Sequence, residues 1–107
     1  MSTQLERVEE QIEVLKGALL ALGPMRPGSL TKQYRAPKAR RLPFYQISYT
    51  YRMRSRSEYV RKENLSALRK ETTNFKRFKK LIDRWIDLSL KASRMRVREA
   101  KTHHVTT

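Results

Sequence analysis

Cysteine is absent from this chain of 107 residues, and glycine and proline are scarce, at three and four. The missing cysteine excludes disulfide staples and thiolate metal sites, and it fits a reducing cytoplasm. Three glycines leave no phosphate-cradling loop of the Walker or dinucleotide type. No apolar run approaches the roughly 18 residues that a membrane span needs. The first residues, MSTQLERVEEQIEVLKG, are acidic and amphipathic, so they do not read as a secretion signal. With 38% of its residues apolar, a chain this short buries only a modest core, which leaves room for pairing with a second copy or another partner.

Acid is also scarce, and unevenly so. Residues 1–22 carry two basic side chains against four acids, residues 26–62 carry eleven against Glu58 alone, and residues 63–101 carry twelve against five. The net charge of +15 therefore sits on the later two-thirds of the chain. That distribution implies a polyanionic partner. Nucleic acid is the commonest such partner, and an anionic membrane surface is the other candidate.

What is present orders the chain into elements. Thr3 and Glu6 have capping-box spacing. Leu5, Val8, Ile12, Leu15, Leu19 and Leu22 then recur at alternating intervals of three and four, predicting a helix over 3–22 that ends at Gly23-Pro24. Its stripe packs either on the later helix of the same chain or on a second copy. The segment 23–29 reads as a linker. SLTKQYR (29–35) reads as a short strand, and APKARRLP (36–43) as a basic loop bounded by prolines. FYQISYTYR (44–52) has the β-branched and aromatic content and the two-residue period of a strand. One face carries Tyr45, Ile47, Tyr49 and Tyr51, and the other Phe44, Gln46, Ser48, Thr50 and Arg52. SEYVR (57–61) follows a turn near Met53–Arg56, giving a hairpin whose turn type is open because it lacks glycine or Asn-Gly.

A second helix is expected over 63–101, with Leu68, Phe75, Phe78, Ile82 and Trp85 on one stripe and Leu81, Leu88 and Met95 on its flank. ETTNF (71–75) is weak helix and invites a kink or break. The expected class is α+β: one small domain over 1–101, with an N-terminal helix, a two- or three-stranded antiparallel sheet and a long C-terminal helix, then a disordered tail at 102–107.

Side chains for catalysis are few. Asp83 and Asp87 lie one helical turn apart, but Lys79 and Lys91 at four-residue spacing make them surface ion pairs before they make a metal site. His103 and His104 share an expected unstructured end. No nucleophile–base pair is suggested by spacing. The chain is thus expected to be no enzyme and to hold no cofactor or metal. Cationic groups are abundant instead: Arg35, Lys38, Arg40 and Arg41 in the loop; Arg52, Arg54 and Arg56 at the hairpin; Arg61 and Lys62 before the second helix; Lys76 and Lys80 on it, beside Arg77 and Lys79; and Arg94, Arg96 and Arg98 further on. Arginine's planar fork suits bidentate contacts to phosphate or a guanine edge. A two-stranded ribbon fits a DNA major groove, where Gln46, Ser48 and Thr50 could touch base edges. The tyrosines either cover the second helix or form a stacking platform for unpaired bases.

The stretches MRPGSLTKQYR, PFYQISYTYR and SEYVRKENLSALRKETTNFKRFKKLIDRWIDLSLKAS together resemble a family of small basic prokaryotic proteins known as a domain of unknown function, sometimes found beside transposase-like genes. The resemblance covers about residues 25–93. It rests on Gly28-Ser29-Leu30, Tyr34-Arg35, the Pro43-Phe44-Tyr45-x-Ile47-Ser48-Tyr49 strand, Tyr59-Val60 and the Asn74–Lys80 helical segment. Many members place a cysteine-rich knuckle between the Tyr-Arg pair and the Pro-aromatic strand. Here APKARRL stands in that place, so no zinc-binding role carries over. The resemblance implies a shared fold and a mobile-element or genome-maintenance setting, and no activity.

The expected function is non-enzymatic nucleic-acid binding, duplex DNA ahead of RNA, in the cytoplasm and at the nucleoid. The alternatives are an RNA-binding subunit of a ribonucleoprotein and a helical adaptor for a larger recombinase or nuclease. A homodimer through helix 1 and the distal half of helix 2 is a further expectation.

Overall fold

Thr3 sets the start of the first helix. Its hydroxyl oxygen accepts the backbone N–H of Glu6 at 3.1 Å, satisfying one of the donors a helix start leaves unpaired. In the computed structural model, which describes residues 3–39 and 41–105 (the side chains of Pro37 and of 101–105 excepted), α1 spans Gln4–Leu20 and α2 spans Leu65–Val105. Between them lie β1 (Ser29–Ala36), β2 (Arg41–Tyr51) and β3 (Arg54–Val60), an antiparallel sheet in the order β1-β2-β3. The architecture is the expected α+β arrangement. The chain divides into two compact units: residues up to Leu22 together with those from Phe78 onward, and Gly23–Arg77.

The first unit is helix on helix. Val8, Ile12 and Leu15 of α1 and Leu88 and Ala92 of α2 are buried together, with Leu5, Leu19, Leu81, Trp85 and Met95 packed around them. Burying a side chain such as Leu88 or Ile12 contributes about 1.5–3 kcal/mol. Ala92 is fully buried, and its single methyl lets the helices approach closely. The α1 stripe is thus covered within one chain. The ammonium of Lys16 sits 5.6 Å from the Trp85 ring centroid and 3.0 Å from Glu13.

The second unit is built on β2. β1 pairs with it from Arg41 to Ser48 and β3 from Tyr45 to Tyr51, so the sheet is three-stranded only between Tyr45 and Ser48. Ile47, at its centre, is fully buried and Val60 nearly so. The 23–28 segment is a tie as well as a linker. The Asn74 amide donates to the Pro24 carbonyl at 2.8 Å, and the Arg26 N–H donates to the Glu71 carbonyl at 3.0 Å. Gly28, at φ 142°, lies so close to Ile47 that a Cβ there would stand 2.8 Å from the Ile47 Cγ1. Only glycine meets both demands.

Several expectations are corrected here. The 36–43 segment is not a loop: a short 3-10 turn (Pro37–Ala39) joins β1 to β2, and Arg41, Leu42 and Pro43 belong to the strand. Pro43 is tolerated because β3 reaches only to Tyr45, which leaves β2 an edge at that point. The hairpin turn is Arg52–Met53, not 53–56, since Tyr51 pairs with Arg54. Both turn residues have positive φ, 52° and 65°, the signature of a type I′ turn, formed here without glycine or asparagine. The 71–75 segment stays helical. Its poor helix formers are employed elsewhere, Thr72 donating to the Arg69 carbonyl at 3.1 Å and Asn74 holding Pro24. α2 also runs on to Val105, with Thr106 and Thr107 outside the described residues.

Candidate nucleic-acid interface

The register sorts the side chains of the sheet onto two faces. Directly paired residues share a face, and each strand alternates. Gln46, Ser48 and Thr50 of β2 lie with Ser55, Ser57 and Tyr59 of β3 and with Ser29, Thr31, Gln33 and Arg35 of β1. This is a polar ladder. The Ser48 and Ser57 hydroxyls are 2.9 Å apart, and those of Thr50 and Ser55 are 3.0 Å apart. An aromatic step closes it, Phe44 stacked on Tyr59 at 6.5 Å, with the Arg35 guanidinium 5.8 Å from the Phe44 ring. Serines 48, 55 and 57 and Thr50 are all exposed.

The opposite face changes character along its length. At the base it is apolar, with Leu30, Tyr45, Ile47 and Val60 buried or half-buried. At the turn it carries Tyr49, Tyr51, Arg54 and Arg56, which with Arg52 line a shallow concavity of about 600 Å³. Tyr51 is 59% exposed and Met53, at the turn, is 98% exposed. Beyond Ser48 β1 has ended, so residues 49–56 project as a two-stranded ribbon. The expectation that Tyr49 and Tyr51 brace the ribbon against α2 is therefore corrected for Tyr51. The placing of Arg52 on the face of Gln46, Ser48 and Thr50 is corrected too: Arg52 is in the turn, while Arg54 and Arg56 lie on the tyrosine face.

Electrostatics separate the base from the turn. Glu58, the one acid between residues 26 and 62, accepts from the Arg26 guanidinium and, at 3.1 Å, from the Tyr49 hydroxyl. These two bonds, the Arg26 bond first, hold the Glu58 carboxyl below its ordinary value, and the Glu58 bond raises the Arg26 guanidinium. Arg26 also lies 5.4 Å from the Tyr49 ring centroid. The acid is thus bonded chiefly at the base, and the charge of Arg56 acts on it more weakly. Among the described residues no carboxylate is bonded to Arg52, Arg54 or Arg56.

The remaining candidate residues are dispersed. Arg35, Lys38 and Arg41 gather at the β1–β2 turn, and Arg40 lies outside the described residues. That turn is at the opposite end of β2 from Arg52, roughly 35 Å away at about 3.3 Å per residue. The ribbon and the 35–41 run are two cationic patches, not one. Arg61 and Lys62 are exposed between β3 and α2, while Lys76 and Lys80 are exposed on α2. The side chains of His103 and His104 are outside the described residues. Arg26 was not singled out from sequence; its position in the linker gave no sign that it closes on Glu58, 32 residues away.

No protein-family model matches the chain, and no curated protein or solved structure is significantly similar to it.

Proposed function

We propose that the chain is a non-enzymatic nucleic-acid-binding protein of the cytoplasm and nucleoid that grips duplex DNA with the two-stranded ribbon 49–56. The observation that carries this reading is the clustering of Arg52, Arg54 and Arg56 with Tyr49 and Tyr51 at the projecting end of the sheet, with the only nearby acid in the sequence already bonded to Arg26. A two-stranded ribbon has the width that a major groove of about 12 Å admits. Arginines there can contact phosphate or a guanine edge, and the exposed hydroxyls of Thr50 and Ser55 can reach base edges from the other face. The 35–41 cations supply a second phosphate contact further along the duplex.

The exposed Tyr51 and the Phe44–Tyr59 step favour a second reading, stacking of unpaired bases in RNA or single-stranded DNA. Fluorescence anisotropy with duplex DNA, single-stranded DNA and RNA, each at two salt concentrations, separates the readings. Tightest binding to duplex supports the first; tightest binding to a single strand supports the second. Weak, equal binding to all three would sink both and favour the adaptor role. Among the described residues no helix is long and apolar enough to cross a membrane.

A further inference from the structure

α2 carries two apolar stripes, and α1 covers only one. The covered stripe is Leu81, Trp85, Leu88, Ala92 and Met95. The other is Ile82, Ile86, Leu90 and Val97, of which the last three are 53%, 50% and 62% exposed. Ile82, Trp85, Ile86, Ser89 and Leu90 together line an almost wholly apolar hollow of about 370 Å³. We propose that a second copy of this chain covers the outer stripe, its α2 running antiparallel, with the two-fold axis passing between residues 89 and 90.

Two features of the stripe select this occupant. The first is its symmetry. The positions 82, 86, 89/90, 93 and 97 read the same in both directions about that axis, so Ile82 of one copy meets Val97 of the other, and Ile86 meets Ser93. An isologous interface requires this self-complementarity.

The second is charge. At about 100° per residue, Asp83, Asp87 and Arg94 fall on one flank, roughly 60–100° from the direction of Ile86, with Lys80 and Arg98 on the same side beyond the ends of the seam. The acids occupy the first half of the seam and Arg94 the second. Antiparallel helices set like flanks side by side, so Arg94 of one copy falls level with position 85 of the other, between Asp83 and Asp87, and the reverse. Parallel pairing would set the same positions level with one another, losing this match.

The seam spans 16 positions, about 24 Å of helix, which places it among the small, weak interfaces. Light scattering on the eluting 107-residue chain, without nucleic acid and at about 0.3 M salt to screen the net charge, should show a mass rising with concentration from 12.8 kDa towards twice that. Ile86→Asp should hold it at the monomer mass with unchanged helicity by circular dichroism.

The chain has no cysteine, so single introduced thiols report orientation. Leu90→Cys should cross-link to itself on oxidation. Ile82→Cys should cross-link only when mixed with Val97→Cys. A monomer mass at every concentration would overturn the proposal, and so would efficient self-linking of Ile82→Cys, which is the parallel result. Because no nucleic acid is present, neither outcome depends on the reading of the ribbon.

Discussion

Replacing Arg52, Arg54 and Arg56 together by alanine tests the ribbon most directly. All three are exposed and, among the described residues, none is bonded to a carboxylate, so their loss should leave the sheet intact. Each arginine resting on a duplex phosphate adds about 0.9 to the steepness with which log K falls against log salt. Removing three should therefore flatten that slope by about 2.7. Across a fourfold rise in salt, from about 50 to about 200 mM, the advantage of the natural protein over the variant should shrink roughly 40-fold, four raised to the power 2.7.

The assay is anisotropy titration of a labelled duplex at four or more salt concentrations. Arg69→Ala with Lys70→Ala, on the first turns of α2, serves as the charge-removal comparison and should change the slope by less than about 1. The refuting result is a pair of parallel log–log lines for the triple variant and the natural protein. Weaker binding with an unchanged slope would mean that the arginines act through net charge or shape and do not touch phosphate.

Three further outcomes follow from the sheet unit. Met53→Gly should stabilise the protein by about 1 kcal/mol, because it relieves a left-handed conformation that a side chain disfavours, and the thermal midpoint should rise by about 4–8 °C. Gly28→Ala should destabilise by about 1–3 kcal/mol in urea titration, since its Cβ would strike Ile47 from a backbone at φ 142°. Glu58 has its carboxyl lowered in the folded chain, so its contribution is complete above the unfolded value of about 4.3 and fades as pH falls through the lower folded value. The urea-midpoint gap between the natural protein and Glu58→Gln should accordingly begin to close as pH falls to about 4.3 and go on closing through the lower folded value, and a gap independent of pH would contradict the Arg26–Glu58 account.

Much of the fold was legible because its signals are local. Thr3 with Glu6, the three-four spacing from Leu5 to Leu19, and the alternation from Phe44 to Tyr51 each fix an element from neighbouring residues alone. The candidate site was only half legible, for a physical reason. Which face an arginine occupies depends on where the turn falls, and a two-residue turn at Arg52–Met53 carries none of the usual turn residues. Moving the turn from 53–56 to 52–53 carries Arg54 and Arg56 onto the tyrosine face. The apolar pattern of α2 failed differently. Ile82 and Trp85 are three residues apart and read as one stripe, yet Trp85 packs with the core shared with α1 as well as edging the outer hollow, while Ile82 serves the hollow. Spacing alone does not tell two adjacent stripes from one broad one.

The turn end of the ribbon lowers the stability of the chain on its own. Two non-glycine residues in the left-handed region disfavour the turn by about 1–2 kcal/mol each. Arg54 and Arg56, two residues apart on one face, stand about 7 Å from each other along the strand. At that distance two unit charges repel by roughly 0.6 kcal/mol even in bulk water, and Arg52 adds to the repulsion. The stabilising contacts of this unit lie at the other end of the hairpin: Ile47, Val60, Gly28 against Ile47, and Arg26 with Glu58. A bound phosphodiester would reverse the sign of the electrostatic part and leave the conformational part unchanged. On the proposed reading, duplex DNA at low salt should therefore raise the thermal midpoint of the natural protein, and of Met53→Gly by a similar increment from its higher baseline, because relief of backbone strain and neutralisation of charge are separate terms. If the gain from DNA vanished in Met53→Gly while its arginines remained, the strained turn itself, and not the guanidinium cluster, would be the element that the nucleic acid recognises.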